Sequence, residues 1–182
     1  MKVDSTTVLQ AGQNRNSVRI QSKNRYNGGL FIFDLIHMPG GCSMWPAGET
    51  IIVLRVCSDT QNLSFLAWLT SLDQKWPTDG EIDILEGVHN DVFNAMTLHT
   101  IQGCTLDTSR AKADKSLPAS ANTFVGNVST TDCNTQINFN QGCSIKDTDP
   151  SSFGIGLNRQ QGGVFATLWD EVNGIKICTS IP

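Results

Sequence analysis

The apolar residues of this 182-residue chain fall into short runs separated by turn signals, and no stretch repeats them at a helical period with caps. A chain patterned this way buries its apolar surface by pairing strands. Ser17-Val18-Arg19-Ile20-Gln21 alternates polar and apolar residues, as a half-buried strand does. Asn27-Gly28-Gly29 signals a turn before the β-branched and aromatic run 29–37, which Pro39-Gly40-Gly41 closes. Pro77-Thr78-Asp79-Gly80 leads directly into Glu81-Ile82-Asp83-Ile84-Leu85-Glu86, and residues 95–100, 164–170 and 175–178 read as further strands. Residues 107–152 are polar and weakly patterned and read as long loops held by cysteines. The spacing predicts an all-β sandwich or jelly roll.

Composition narrows the function classes. With 39% hydrophobic residues and a net charge of -4, the chain is too apolar and too nearly neutral for disorder. Its apolar runs, such as Ile51-Ile52-Val53-Leu54 broken by Arg55, are far short of the ~20 residues of a membrane span. Thirteen basic residues against 17 acidic ones argue against nucleic acid as a partner. The six cysteines contain no Cys-x-x-Cys pair and no histidine at a zinc-finger offset, so no metal centre and no cofactor is expected. That many cysteines in so short a chain point to an oxidising compartment. Two glycosylation acceptor sequences, Asn62-Leu63-Ser64 and Asn127-Val128-Ser129, arise by chance often enough to add little. Met1-Lys2-Val3-Asp4 has no apolar stretch behind it, so the expectation is a secreted, extracellular protein whose signal peptide is absent from this chain.

The segment Glu81 to Glu86 carries the chemistry. On a helix, residues five apart lie about 140° apart around the axis, so Glu81 and Glu86 would not cooperate. On a strand, Glu81 and Asp83 share a face, whereas Glu86 has the wrong parity. One extra residue at Ile84-Leu85, a β-bulge, restores the phase and puts all three carboxyls on one face, with Ile82 and one bulge residue toward the core. Two glutamates leaning together on a curved sheet could then approach the roughly 5–5.5 Å of a retaining glycosidase. Asp83 between them would tune a neighbour by like charge or a shared proton. A solvated acidic edge strand or a calcium-binding acidic loop would also carry such a pattern.

The string WPTDGEIDILEG resembles the active-site signature of glycoside hydrolase family 16, in its fungal laminarinase-type endo-β-1,3(4)-glucanase branch. GQNRNSVRI, GGLFIFDLIHMPGGCSMWPA, NAMTLHT, NQGC and GGVFATLWD resemble the same branch in the same order. The resemblance implies a concanavalin-like β-sandwich jelly roll whose concave sheet binds a β-glucan polysaccharide or oligosaccharide. It also implies a monomer that cleaves internal β-1,3 or mixed β-1,3/1,4 bonds through a covalent glycosyl-enzyme. Carried over, Glu81 matches the nucleophile, Glu86 the general acid/base, and Asp83 the residue that hydrogen-bonds and tunes the nucleophile. His99 matches a cleft histidine near the acid/base, and Trp45, Trp68 and Trp76 match aromatic residues around the cleft. Cys42, Cys104, Cys133 and Cys143 match family positions and make two pairs of open connectivity, although Cys133 and Cys143 could close a short loop.

The chain also departs from that pattern. Trp45-Pro46-Ala47 and Trp68-Leu69-Thr70 are separated by residues 48–66, and joining Ala47 to Ala67 restores a family-like WPAAWLTSLDQKWPTDGEIDILEG. Residues 48–66 therefore read as an insertion or an intron retained in frame within one partial catalytic domain spanning 1–182. The chain is also short against the family, so the sandwich is expected to be incomplete at both ends. A non-catalytic glucan-binding sandwich and an inert fragment are the competing readings. A transglycosylase on the same fold is another.

Overall fold

The computed structural model describes residues 4, 6–14, 16–20, 22–24, 26, 28–51, 54–55, 66–67, 76–112, 124–170 and 174–181. The strands run in the order β1 (Gly29–Leu35), β2 (Ala47–Ile51), β3 (Leu54–Arg55), β4 (Leu66–Ala67), β5 (Glu81–Glu86) and β6 (Ala95–His99). Then follow β7 (Ala111–Lys112), β8 (Phe124–Val125), β9 (Asn127–Thr130), β10 (Cys143–Lys146), β11 (Gly163–Asp170) and β12 (Gly174–Ser180). Two antiparallel sheets dominate, one of five strands ordered β2-β5-β6-β10-β9 and one of three ordered β1-β11-β12. Two-stranded pairs β3-β4 and β7-β8 are also present among the described residues.

Strand β11 shows why the sheets stack. Its residues alternate between buried and half-buried, with Phe165, Thr167 and Trp169 turned inward. Trp169 packs with Ile82 of β5, Leu98 of β6, Phe31 of β1, and Ile175 and Ile177 of β12. Phe165 joins Met38, Leu85, Phe153 and Leu157 in a second cluster. The core is therefore the layer between the sheets, filled by one face of each, as in a β-sandwich. Burying a side chain the size of Phe165 or Leu85 contributes about 1.5–3 kcal/mol each.

Several expectations change. Residues 16–20 join no strand, and Val18 and Ile20 are exposed; alternation without a partner strand makes no ladder. Gln21 lies outside the described residues. The segment 107–152 is not all loop: Cys143–Lys146 forms β10, between β6 and β9 in the larger sheet. A six-residue helix, Gly154–Arg159, buries Leu157 against the core. A Cβ on its Gly156 would stand 1.9 Å from the Pro150 carbonyl oxygen, so glycine lets this turn lie against the chain before it. Residues 48–51 of the segment read as an insertion form most of β2, hydrogen-bonded to β5. Much of the rest of that segment, and Trp68, lie outside the described residues. Cys133 and Cys143 form a disulfide, but Cys42 is free and exposed, so the four family-matched cysteines do not make two pairs. Among the described residues no helix is long and apolar enough to cross a membrane.

Candidate active site

The acidic strand is bulged where parity requires it. Asp83 pairs with Thr97 and Glu86 with Ala95, so three steps on β5 span two on β6. On the other edge, Gly48 pairs with Leu85 and Glu49 with Asp83, again skipping Ile84. Both bulge residues pack on the core rather than one: Leu85 is buried and Ile84 touches both clusters. Asn94, wholly buried, holds this irregular backbone. Its side-chain oxygen accepts the Glu86 N–H at 3.0 Å, and its amide donates to the Ile84 carbonyl at 2.9 Å. The bulge takes these backbone groups out of the regular ladder, and one amide side chain partners both. Sequence reasoning missed Asn94; an asparagine just before a strand facing a predicted bulge is the available signal.

Glu81, Asp83 and Glu86 line one cleft of about 700 Å³, with Trp45, Ala47, Val88, His99, Phe139, Asn140 and Gln141. Two indoles hold the two glutamates. Trp45 Nε1 donates to Glu86 Oε1 at 2.8 Å, and Trp76 Nε1 donates to Glu81 Oε2. Trp45 is delivered by a turn tied to His89. Ser43 N–H donates to His89 Nδ1 at 3.0 Å, and His89 N–H to the Met44 carbonyl at 2.8 Å. Trp45 and Trp76 keep 69% and 45% of their surface exposed, so their ring faces stay available to a ligand.

Asp83 is buried and faces His99, whose Nε2 lies 3.1 Å from Asp83 Oδ2. Asp83 Oδ2 therefore bonds the histidine, and Glu81 accepts a bond from Trp76. His99 sits opposite Glu81 in the ladder. Of the residues singled out from the sequence, Glu81, Asp83, Glu86, Trp45, Trp76 and His99 come together, while Trp68 lies outside the described residues. Sequence reasoning missed Phe139, Asn140 and Gln141.

Burial pushes the Asp83 carboxyl up to about 6. The hydrogen bond from His99 opposes that rise, while the charges of Glu86 and Glu81 add to it. For His99 burial disfavours the imidazolium, but the hydrogen bond to Asp83 and the nearby carboxylates outweigh it, and its pKa is raised. Both groups thus hold protons in the folded chain above the pH at which the unfolded chain releases them. Asp83 then lowers stability as pH rises from 3.8 to about 6. His99 continues the loss above its ordinary 6.5. At ~1.4 kcal/mol per unit, the Asp83 contribution is on the order of 2–3 kcal/mol. Urea midpoints of the parent should fall between pH 4 and 6, and Asp83→Asn should remove that part of the fall. Equal slopes in parent and variant would contradict it.

Asp83, Glu86 and His99 each place one donor atom within 4.8 Å of the others, a spacing that suits a cation. Asp83 Oδ2 and His99 Nε2 partner one another and Glu86 accepts from Trp45, whereas Asp83 Oδ1 and His99 Nδ1 are buried with no partner.

A family model described as "XgeA-like, catalytic GH16 domain" matches residues 1–51 and 66–179, leaving a gap inside the 48–66 segment. An endo-1,3(4)-beta-glucanase of Arthroderma benhamiae is 38% identical over 168 residues, 90% of this chain and 30% of that protein. A GH16 laminarinase of Phanerochaete chrysosporium, solved with β-glucans in its donor and acceptor sites, superposes with a TM-score of 0.76 at 32% identity. The match covers 100% of this chain and 50% of that one. A GH family 16 elongating β-1,3-glucosyltransferase superposes at 0.69 with 31% identity, over 98% of this chain and 49% of that one. The chain thus spans about half the length of these solved relatives and less of the curated one, and its fold is the jelly-roll sandwich they share.

Proposed function

This chain belongs to glycoside hydrolase family 16, and we propose that its cleft is the catalytic centre of an endo-acting β-1,3(4)-glucanase working by retaining double displacement. The observation that carries the reading is the pair of glutamates at the two ends of one bulged strand, both lining the cleft and each accepting an indole N–H.

In the first step Glu86 gives its proton to the glycosidic oxygen while the Glu81 carboxylate attacks the anomeric carbon. The C–O bond to the leaving sugar breaks and a glycosyl ester on Glu81 forms. In the second step Glu86, now a carboxylate, takes a proton from water. The water oxygen attacks the anomeric carbon, the ester bond breaks and Glu81 is freed. Trp76 and Trp45 fix the two carboxyls in place, and the buried Asp83–His99 pair sets the field between them. The substrate is a β-glucan, which the named substrates of the relatives support, and the acting unit is a monomer. The Cys133–Cys143 disulfide supports an oxidising, extracellular setting.

The test is digestion of laminarin and of a mixed-linkage glucan by the chain. Internal cleavage should release oligosaccharides of several lengths, and proton NMR should show the β-anomer first. A first-formed α-anomer, or glucose released from chain ends alone, would contradict the reading. Likeness to the elongating glucosyltransferase favours one second outcome, in which a sugar replaces water in the second step. Products longer than the substrate would identify it.

A further inference from the structure

The cleft has a second wall that the catalytic residues leave unexplained. Phe139 lines it with Asn140 and Gln141, yet its side chain is fully exposed, at 103% of the reference surface. Its backbone sits in the left-handed region at φ 55, ψ 35, between Asn138 at φ 50 and Asn140 at φ 62. Asparagine tolerates that region, whereas a bulky residue there is an outlier that folding alone does not ask for. An exposed aromatic in a strained turn gains nothing from the core, so its position points to a ligand.

The turn is also anchored. The Cys133–Cys143 disulfide joins residues ten apart and closes the loop that carries Phe139. At one end Thr100 N–H donates to the Cys133 carbonyl at 2.8 Å, and Thr135 N–H donates to the Thr100 carbonyl at 3.0 Å. At the other end Gly142 lies against β6, where a Cβ would stand 2.5 Å from the Leu98 carbonyl oxygen and 2.9 Å from His99 Nδ1. Its φ of 62 also lies in the left-handed region, which glycine enters without steric cost. Thr130 Oγ1 bonds the Gly142 carbonyl. Within the turn, Asn140 N–H donates to the Ile137 carbonyl and Gln141 N–H to that of Asn138. The loop is thus fixed beside the His99 end of the cleft before any ligand arrives, which lowers the cost of ordering it on binding.

We propose that Phe139 is a sugar-stacking platform that sets how the cleft grips a glucan chain beyond the bond being cut. It rests on the glucanase reading above. A β-linked glucose ring carries its hydroxyls around the rim and C–H groups on its faces. The flat phenyl face meets those C–H groups, and the Asn140 and Gln141 amides offer donors and acceptors to rim hydroxyls.

The experiment titrates a β-1,3-linked glucopentaose into the chain carrying Glu81→Gln, which prevents turnover, and reads affinity by calorimetry. Adding Phe139→Ala should weaken binding about tenfold or more, and Phe139→Leu should weaken it similarly because it lacks a flat face. Phe139→Trp should keep the parental affinity. Thermal midpoints should not move, since the side chain is fully exposed. Unchanged affinity with Ala, or parental affinity with Leu, would overturn the platform while leaving the hydrolase reading standing. Failure of the parent chain to bind the pentaose or to cleave laminarin would sink both.

Discussion

Replacing Glu81 by Gln is expected to reduce glucan hydrolysis by about 10³-fold or more while leaving glucan affinity within a few-fold. Gln has nearly the shape of Glu and keeps an oxygen that can accept the Trp76 N–H, so the local fold has no reason to change. What it loses is the negative charge and nucleophilic oxygen needed to form the glycosyl ester. Binding depends on ring faces and hydroxyl contacts that this substitution does not touch. Parallel rates and pentaose titrations on parent and variant check it. Loss of affinity as large as the loss of rate, in a variant with the parental melting temperature, would move Glu81 from catalysis to binding.

The second large effect concerns residues 48–66. In the ladder, Gly48 stands across from Leu85, Glu49 from Asp83, Thr50 from Ile82 and Ile51 from Glu81. Glu49 and Thr50 thus hold the register positions across from the buried Asp83 and Ile82. We propose that the segment is an insertion whose removal lets the chain continue from Ala47 into Ala67-Trp68-Leu69-Thr70 at the same register. Leu69 then takes the position opposite Ile82, and Trp68 takes the position across from Asp83. A cross-strand carboxyl position is replaced by an indole, and a polar position by an apolar one. Aromatic and apolar residues favour strand pairing over the acidic and polar ones they would replace. The chain lacking 48–66 is expected to be more stable and to hydrolyse laminarin about tenfold faster or more, each 1.4 kcal/mol being tenfold in rate. Trp68→Ala in that shortened chain should reverse much of the gain. A shortened chain that is no more active and less stable than the parent would show the segment to be part of the working sandwich.

How far the sequence could be read depended on whether a pattern carried its own partner. The bulge in Glu81–Glu86 was legible because three carboxyls cannot share a face by strict period two, and the register shift lies between Asp83 and Glu86. Strand β11 was legible because Val164 to Asp170 is a short β-branched and aromatic run after a glycine pair, although its inward and outward alternation shows only in the fold. Ser17-Val18-Arg19-Ile20 misled because alternation says nothing of whether a neighbouring strand exists. Strand β10 was hidden because four residues beginning at a disulfide cysteine are too few to show a period, and its place is set by pairing with β6 and β9. Helix Gly154–Arg159 was illegible for the opposite reason: two glycines in six residues oppose a helix, and packing of Leu157 imposes it. The indole bonds to Glu81 and Glu86 and the Asn94 brace join residues from separate turns and strands, so they exist only once the sheet is formed.

The most direct test of the central claim is to trap the covalent intermediate. The chain would be incubated with an activated 2-deoxy-2-fluoro β-glucosyl donor, whose fluorine slows breakdown of the glycosyl ester, and then digested and mapped by mass spectrometry. The account predicts one added glycosyl group on the peptide containing Glu81, carried by Glu81 itself and absent from Glu81→Gln. A label on Glu86 or elsewhere, or a chain that turns over glucan and accumulates no ester, would contradict it.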